Sequence, residues 1–249
     1  MEVIAITNQK GGVGKSTTAN AIGAGLTRSG KKVLYIDLDP QCNLSYSLKA
    51  TGKPLTAMEV LTGTATAQEA ILATDQGDII PASQMLATAD LIINQTGKEY
   101  RLAEALDPIR SEYDYILIDT PPALGILTVN ALTAADSVII PAQADIYSLQ
   151  GISQLEDTIR TVKKYCNQKL TIKGILITRY SARAVLNRDL SDLLKQKADQ
   201  METKLFNTKI RECIALKEAQ ATQADIFSYN SRSNAAMDYK ALLEEMLNS

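Results

Sequence analysis

Asn8-Gln9-Lys10-Gly11-Gly12-Val13-Gly14-Lys15-Ser16-Thr17 joins the apolar run Val3-Ile4-Ala5-Ile6 to a helical pattern through a glycine-rich turn. Glycines let successive backbone N–H groups turn inward on an anion with no Cβ in the way, and the following helix aims its positive dipole end at the same point. The turn therefore reads as a phosphate-binding loop over 10–17, with Lys15 reaching the terminal phosphates and the Ser16 hydroxyl on Mg²⁺. The ordinary form G-x-x-x-x-G-K-[ST] wants its first glycine where this chain has Gln9, so the loop departs from it by one residue.

Working outward, Val3 to Ile6 is a short continuous apolar run, as expected of a parallel strand covered on both faces. The helix after the loop carries Ala19, Ala21, Gly23, Ala24 and Gly25, small residues that permit close packing on a sheet, and it ends near Ser29-Gly30. Val33 to Leu38 then forms a strand delivering Asp37 and Asp39 at its carboxyl end, the edge where open α/β sheets place ligands. Asp39 is the residue expected to act, with Asp37 or both as turn-forming aspartates before Pro40 the structural alternative. Tyr113-Asp114-Tyr115-Ile116-Leu117-Ile118-Asp119-Thr120-Pro121-Pro122 is a second strand ending in an aspartate. Asp119 there has the form of a Mg²⁺-associated carboxylate, with 120–125 as the segment that senses a γ-phosphate.

The remaining pattern is less rich in chemistry. Thr56 and Thr66 read as N-caps of two short helices, and Asp78 to Pro81 as a brief strand. Helices are expected over 83–94, 98–110, 149–165 and 189–200, and strands over 137–141, 172–178 and 205–210. A closing helix sets Ala235, Tyr239, Leu242 and Met246 at packing spacing and leaves Glu244 and Glu245 exposed. The whole predicts one domain, 1–249, of α/β class: a mostly parallel twisted sheet with helices on both faces.

Composition bounds the function. At 249 residues and 45% hydrophobic content the chain can bury a substantial core. Histidine is absent, which excludes a His general base, a His triad and a His metal site. Cys42, Cys166 and Cys213 lie far apart without C-x-x-C spacing, so neither a disulfide framework nor a zinc site is indicated. No run of about 18 apolar residues occurs, and the amino end has no basic leader pattern, so a cytoplasmic protein is expected. Net charge is −2, yet 173–217 holds ten Lys/Arg against five Asp/Glu. Such asymmetry suits a local phosphate-contacting face, and equally a solvated helix face.

Lys10-Gly11-Gly12-Val13-Gly14-Lys15-Ser16, the D-x-D-P-Q of 37–41, the strand and Pro-Pro turn at 113–122 and the closing Tyr229 to Tyr239 segment together resemble the ParA/Soj family of DNA partition ATPases. These belong to the ParA/MinD group of deviant Walker A P-loop ATPases, and the resemblance is to the short form without an N-terminal helix-turn-helix. It implies ATP and Mg²⁺ as cofactors, with Ser16, Asp39 and Asp119 around the metal and Lys10, Lys15, Asp39 and Asp119 serving hydrolysis. Lys10 would reach the partner's phosphates across an ATP-sandwich homodimer, with Gly11 at the interface. Double-stranded DNA bound without sequence preference, a ParB-type activating partner and a nucleoid-associated location are implied in turn. Arg183 matches a family arginine used for DNA. Further on the family pattern is broken by Glu212 and Ala215, where Arg211 and Lys217 are the available substitutes. A MinD-like membrane or protein-surface ATPase is the alternative. It would need a basic amphipathic tail, and this tail is acidic. An iron–sulfur redox protein lacks the cysteines near 119–125, and a metabolic P-loop enzyme is disfavoured by Lys10 together with D-x-D-P-Q.

Overall fold

A computed structural model of the chain describes residues 1–181 and 186–248. In chain order β1 (Glu2–Ile6), α1 (Lys15–Arg28), β2 (Val33–Asp37), α2 (Asn43–Ser47), α3 (Ala57–Thr62) and α4 (Ala67–Ala70) lead into the hairpin of β3 (Leu72–Thr74) and β4 (Gly77–Ile80). Then come α5 (Ala89–Ile92), α6 (Arg101–Leu106), β5 (Tyr115–Asp119), α7 (Ile126–Ala134), β6 (Ser137–Ala142) and α8 (Ile146–Tyr165). The chain closes with β7 (Thr171–Tyr180), α9 (Leu186–Gln200), β8 (Leu205–Arg211), α10 (Ile214–Ala221), α11 (Ile226–Asn230) and α12 (Asn234–Leu247).

The strands form one sheet in the order β3-β4-β2-β5-β1-β6-β7-β8. All neighbours are parallel except β3, which pairs antiparallel with β4 at the edge. Its apolar residues alternate strictly between two cores. Val3 and Ala5, Ile116 and Ile118, Val138 and Ile140, and Ile175 and Ile177 face one core, packed under α7 and α8. Ile4 and Ile6, Leu117, Ile139 and Leu176 face the other, under α1 and α12. A period of two with both faces apolar is why these strands read as continuous runs. The small residues of α1 earn their place: a Cβ at Gly23 would stand 2.3 Å from the Tyr35 ring, so only glycine lets the helix lie this close to β2.

Thr56 and Thr66 each close a capping box, with Glu59 and Glu69. Three expectations are corrected. The helix over 83–94 is a 3₁₀ turn at Gln84–Thr88 followed by the four residues of α5, because the Thr88 hydroxyl donates 2.7 Å to the Met85 carbonyl and competes with the helical ladder. The helix over 98–110 opens as a 3₁₀ turn at Lys98–Tyr100 and stops at Leu106, because Pro108 has no N–H to continue the helical hydrogen-bond ladder. Glu245 is not an idle exposed residue: it accepts hydrogen bonds from the amides of Asn207 (2.8 Å) and Thr208 (3.0 Å) on the outer edge of β8. The short β3 carried no periodic signal and was not expected.

Candidate functional site

β1 lies between β5 and β6, so the loop after it opens at a switch point of strand order, on the carboxyl edge of the sheet. Asn8, fully buried, fixes the loop's base: its Nδ2 donates 2.7 Å to the Pro141 carbonyl and its Oδ1 accepts 3.0 Å from the Lys10 amide. Gly12 (φ 76°) and Gly14 (φ 88°) supply left-handed turns. The Thr178 hydroxyl ties the top of the loop down at 2.8 Å to the Val13 carbonyl. Gly14 is also the N-cap of α1 and provides no side-chain cap, so the first-turn amides of α1 point into the cleft without a protein acceptor from that residue.

That cleft has a volume of about 470 Å³ and is lined by Gly11, Gly12 and 14–17 of the loop, with Asp39, Tyr46, Pro122, Arg179 and Gln220 around them. Arg179 takes a left-handed backbone (φ 50°), and the Gln220 side chain donates 2.7 Å to the Thr17 hydroxyl. Neither was singled out from the sequence as a site residue. Gln220 carries no motif, and the position of Arg179 follows only from where β7 ends.

The aspartates separate into different roles. β2 and β5 are neighbours in register, which sets Asp37 level with Asp119. Asp37 is structural: its carboxylate accepts from the Ser45 amide (2.8 Å), the Ser45 hydroxyl (2.7 Å) and the Asp39 amide (3.1 Å). Burial pushes it up to about 6, against the pull of those hydrogen bonds. Asp39 accepts from the Gln41 amide at 3.0 Å and opens onto the cleft. Asp119 is fully buried with both oxygens lacking a hydrogen-bond partner. Burial, then the nearby Asp37, hold it well above the usual carboxylate range, while Ser16 and Lys15 pull it back.

An orphaned, buried carboxylate next to a hydroxyl is the environment a hard divalent cation satisfies, so Asp119, Ser16 and Asp39 fit Mg²⁺. Among the described residues no cluster of three His, Cys, Asp or Glu converges to cage a metal alone. This agrees with the habit of Mg²⁺ of taking most of its oxygens from water and phosphate.

The two lysines rest differently. Lys15 is 6% exposed, with its Nζ donating 3.4 Å to the Lys10 carbonyl. Burial lowers its affinity for the proton, and Asp119 and Asp39 counteract that. Lys10 turns away from the cleft: its Nζ lies 2.5 Å from Asp145 and 3.3 Å from Gln143 Oε1, and Gln143 Nε2 donates 3.2 Å to the Gly12 carbonyl. Asp145 caps α8 through the Ser148 amide at 2.8 Å. Although burial opposes it, these contacts from Lys10 and Ser148 keep the Asp145 carboxyl below its ordinary value. Gln143 and Asp145 went unnoticed in the sequence; the signal was their place immediately after β6, at the same sheet edge as the loop.

The expected DNA contacts fare unevenly. Arg183 lies outside the described residues. Arg211 is clamped by Asp238, at 2.6 Å from Nη2 and 3.0 Å from Nε, while Lys217 is exposed on α10. Ala215 is buried in the second core and Glu212 is exposed, so the two departures from the resembled pattern are a packing residue and a surface charge.

Comparison with known proteins adds the following. An AAA domain family model matches residues 1–172. The sporulation initiation inhibitor protein Soj of Bacillus subtilis is 40% identical, over 98% of both chains. A chromosome partitioning protein ParA of Myxococcus xanthus is 37% identical, over 98% of this chain and 87% of its own. Among solved structures, cobyrinic acid a,c-diamide synthase of Mycobacterium smegmatis with a bound ATP analog and magnesium is 34% identical. It covers 100% of this chain and 95% of its own at a TM-score of 0.86. A plasmid partition protein of Borrelia burgdorferi bound to AMPPNP is 27% identical, covering 99% and 98% at a TM-score of 0.84.

Proposed function

Because the chain belongs to the ParA/Soj family of P-loop ATPases, we propose that it is an ATP-dependent dimerisation switch that binds DNA without sequence preference and drives its partition. The observation that carries the reading is the pairing of a phosphate loop with a second lysine, Lys10, that does not point into its own cleft. A lysine so placed serves a phosphate supplied from the opposite side, which a second copy of the chain would present.

In this reading the amides of 11–16 and the α1 dipole hold the β- and γ-phosphates, with Lys15 swinging from the Lys10 carbonyl onto them. A bound Mg²⁺ would supply charge neutralisation at the phosphates. Asp119 and Ser16 would hold that ion, and Asp39 would orient the attacking water. With no histidine in the chain, catalysis is positioning and charge neutralisation by Lys15 and the partner's Lys10. The neutralised γ-phosphate is sensed at 120–125, and hydrolysis ends the dimer. Turnover is weak alone and stimulated by a ParB-type partner.

Nonspecific DNA contact would come from Arg183 and Lys217, with Arg211 joining only if Asp238 releases it. A cytoplasmic, nucleoid-associated location follows, and no described helix is long and apolar enough to cross a membrane. Light scattering with ATP, ADP and no nucleotide tests the switch. ATP alone is expected to give the dimer, and Lys10→Ala to lose it while still binding ATP. A Lys10→Ala dimer fraction equal to wild type would refute contact in trans.

A further inference from the structure

α7 begins where the segment 120–125 ends, and its N-cap is Gly125, which has no side chain to close the helix. The cap comes instead from 35 residues upstream: Asp90 of α5 accepts a hydrogen bond from the Ile126 amide at 2.9 Å. Gly125 has an ordinary extended φ of −88°, so backbone freedom does not explain the glycine. Space does. A Cβ there would stand 2.6 Å from the Asp90 carboxylate. The missing side chain and the distant carboxylate are two halves of one device, and a carboxylate at a helix N-terminus is favoured by the helix dipole as well.

The segment 120–125 is thereby held at three points. At its start the Thr120 hydroxyl donates 3.0 Å to the Ile6 carbonyl of β1. In its middle the Ala123 carbonyl accepts 2.6 Å from Thr128 of α7. At its end Asp90 reaches across from α5. Between these anchors Pro122 forms a wall of the nucleotide cleft. Two anchors belong to the sheet and to α7 itself; only the third comes from a separate surface segment.

We infer that Asp90 is a positioning residue for ATP hydrolysis, tethering the γ-phosphate-sensing segment to α5. The inference rests on the nucleotide-switch reading above. Asp90 does not reach the cleft, so it acts on Pro122 and its neighbours through α7.

The decisive experiment measures amide hydrogen exchange of the full chain with and without Mg·ATP, alongside steady-state hydrolysis and Tm. The variants are Asp90→Ala and the double variant Asp90→Ala/Gly125→Ser. The double variant restores a helix cap locally, in the space the carboxylate vacates, but leaves α7 untied from α5. Wild type is expected to gain ATP-dependent protection at both 11–17 and 120–125. Asp90→Ala should keep protection at 11–17, lose it at 120–125, and lower kcat by at least about fivefold with KM within about twofold. Its Tm should fall by about 2–4 °C from the lost cap. The double variant should recover Tm yet keep the low kcat and the unprotected 120–125. Recovery of kcat and protection together with Tm would overturn the tether, since a helix cap alone would then suffice. Wild-type kcat and protection in Asp90→Ala would overturn it equally. No ATP protection at 11–17 in wild type would instead defeat the nucleotide reading itself, and the tether with it.

Discussion

Lys10 and Asp145 form the ion pair on which the account turns. In the free chain the lysine is spent locally, 2.5 Å from a carboxylate that also caps α8. In the proposed dimer Lys10 would leave this pair. Asp145→Asn keeps an N-cap side chain and removes the charge, so the ATP dimer should form at about threefold lower protein concentration. Titration by light scattering reads this, and a higher requirement would show Asp145 to be needed in the dimer. Asp39→Ala should permit the ATP dimer yet lower hydrolysis at least about a hundredfold, whereas Lys15→Ala should lose ATP binding. Equal turnover in Asp39→Ala and wild type would refute the role of Asp39. At this scale the sequence was legible wherever a motif fixed both residue and neighbour: Lys15, Ser16, Asp39 and Asp119 meet at one sheet edge. It was illegible where the partner lies more than a hundred residues away, as for Asp145 on Lys10 or Gln220 on Thr17, because nothing local marks a pairing made by topology.

α12 and β8 show the same limit for elements. The helix was legible from its spacing, with Tyr239 and Leu242 buried as expected. Its polar face was not, because a strand edge needing acceptors is invisible in the helix's own pattern. Asp238 and Glu245 satisfy the amides of Asn207, Thr208 and Arg211 along the open edge of β8, which also keeps that edge from pairing with another chain. Glu245 sits below its ordinary value: burial opposes this, but the two amides prevail. A carboxyl depressed in the folded state contributes stability that is complete above its unfolded value of about 4.5 and is lost as pH falls through the folded value. Glu245→Gln should therefore lower stability by about 1 kcal/mol at pH 7 and flatten the acid side of the stability curve. Denaturant melts between pH 7 and 3 would show it; an unchanged acid limb would remove Glu245 from the account. The broken helix at 84–92 has the opposite lesson, since hydroxyl competition within the segment decided it.

Over the whole molecule, the mostly parallel sheet, its two cores and the site at the strand-order switch follow from continuous apolar runs, of which β1, β2 and β5 lead into the phosphate loop, Asp37 and Asp119 at the carboxyl edge. Charge is distributed less simply than composition implies. Several cations of the basic stretch are committed within the protein: Lys173 to Glu2, Lys197 to Glu156 and Arg211 to Asp238. The proposed DNA-contacting face would therefore be built from what these pairs leave and from two copies brought together by ATP. The most direct measurement is binding to long duplex DNA of arbitrary sequence, with ATP, with ADP and without nucleotide, across a salt series. Binding is expected only with ATP, indifferent to sequence and weakening by roughly a hundredfold or more between about 50 and 200 mM salt. Equal binding in all nucleotide states, or none in any state while the ATP dimer forms, would contradict it.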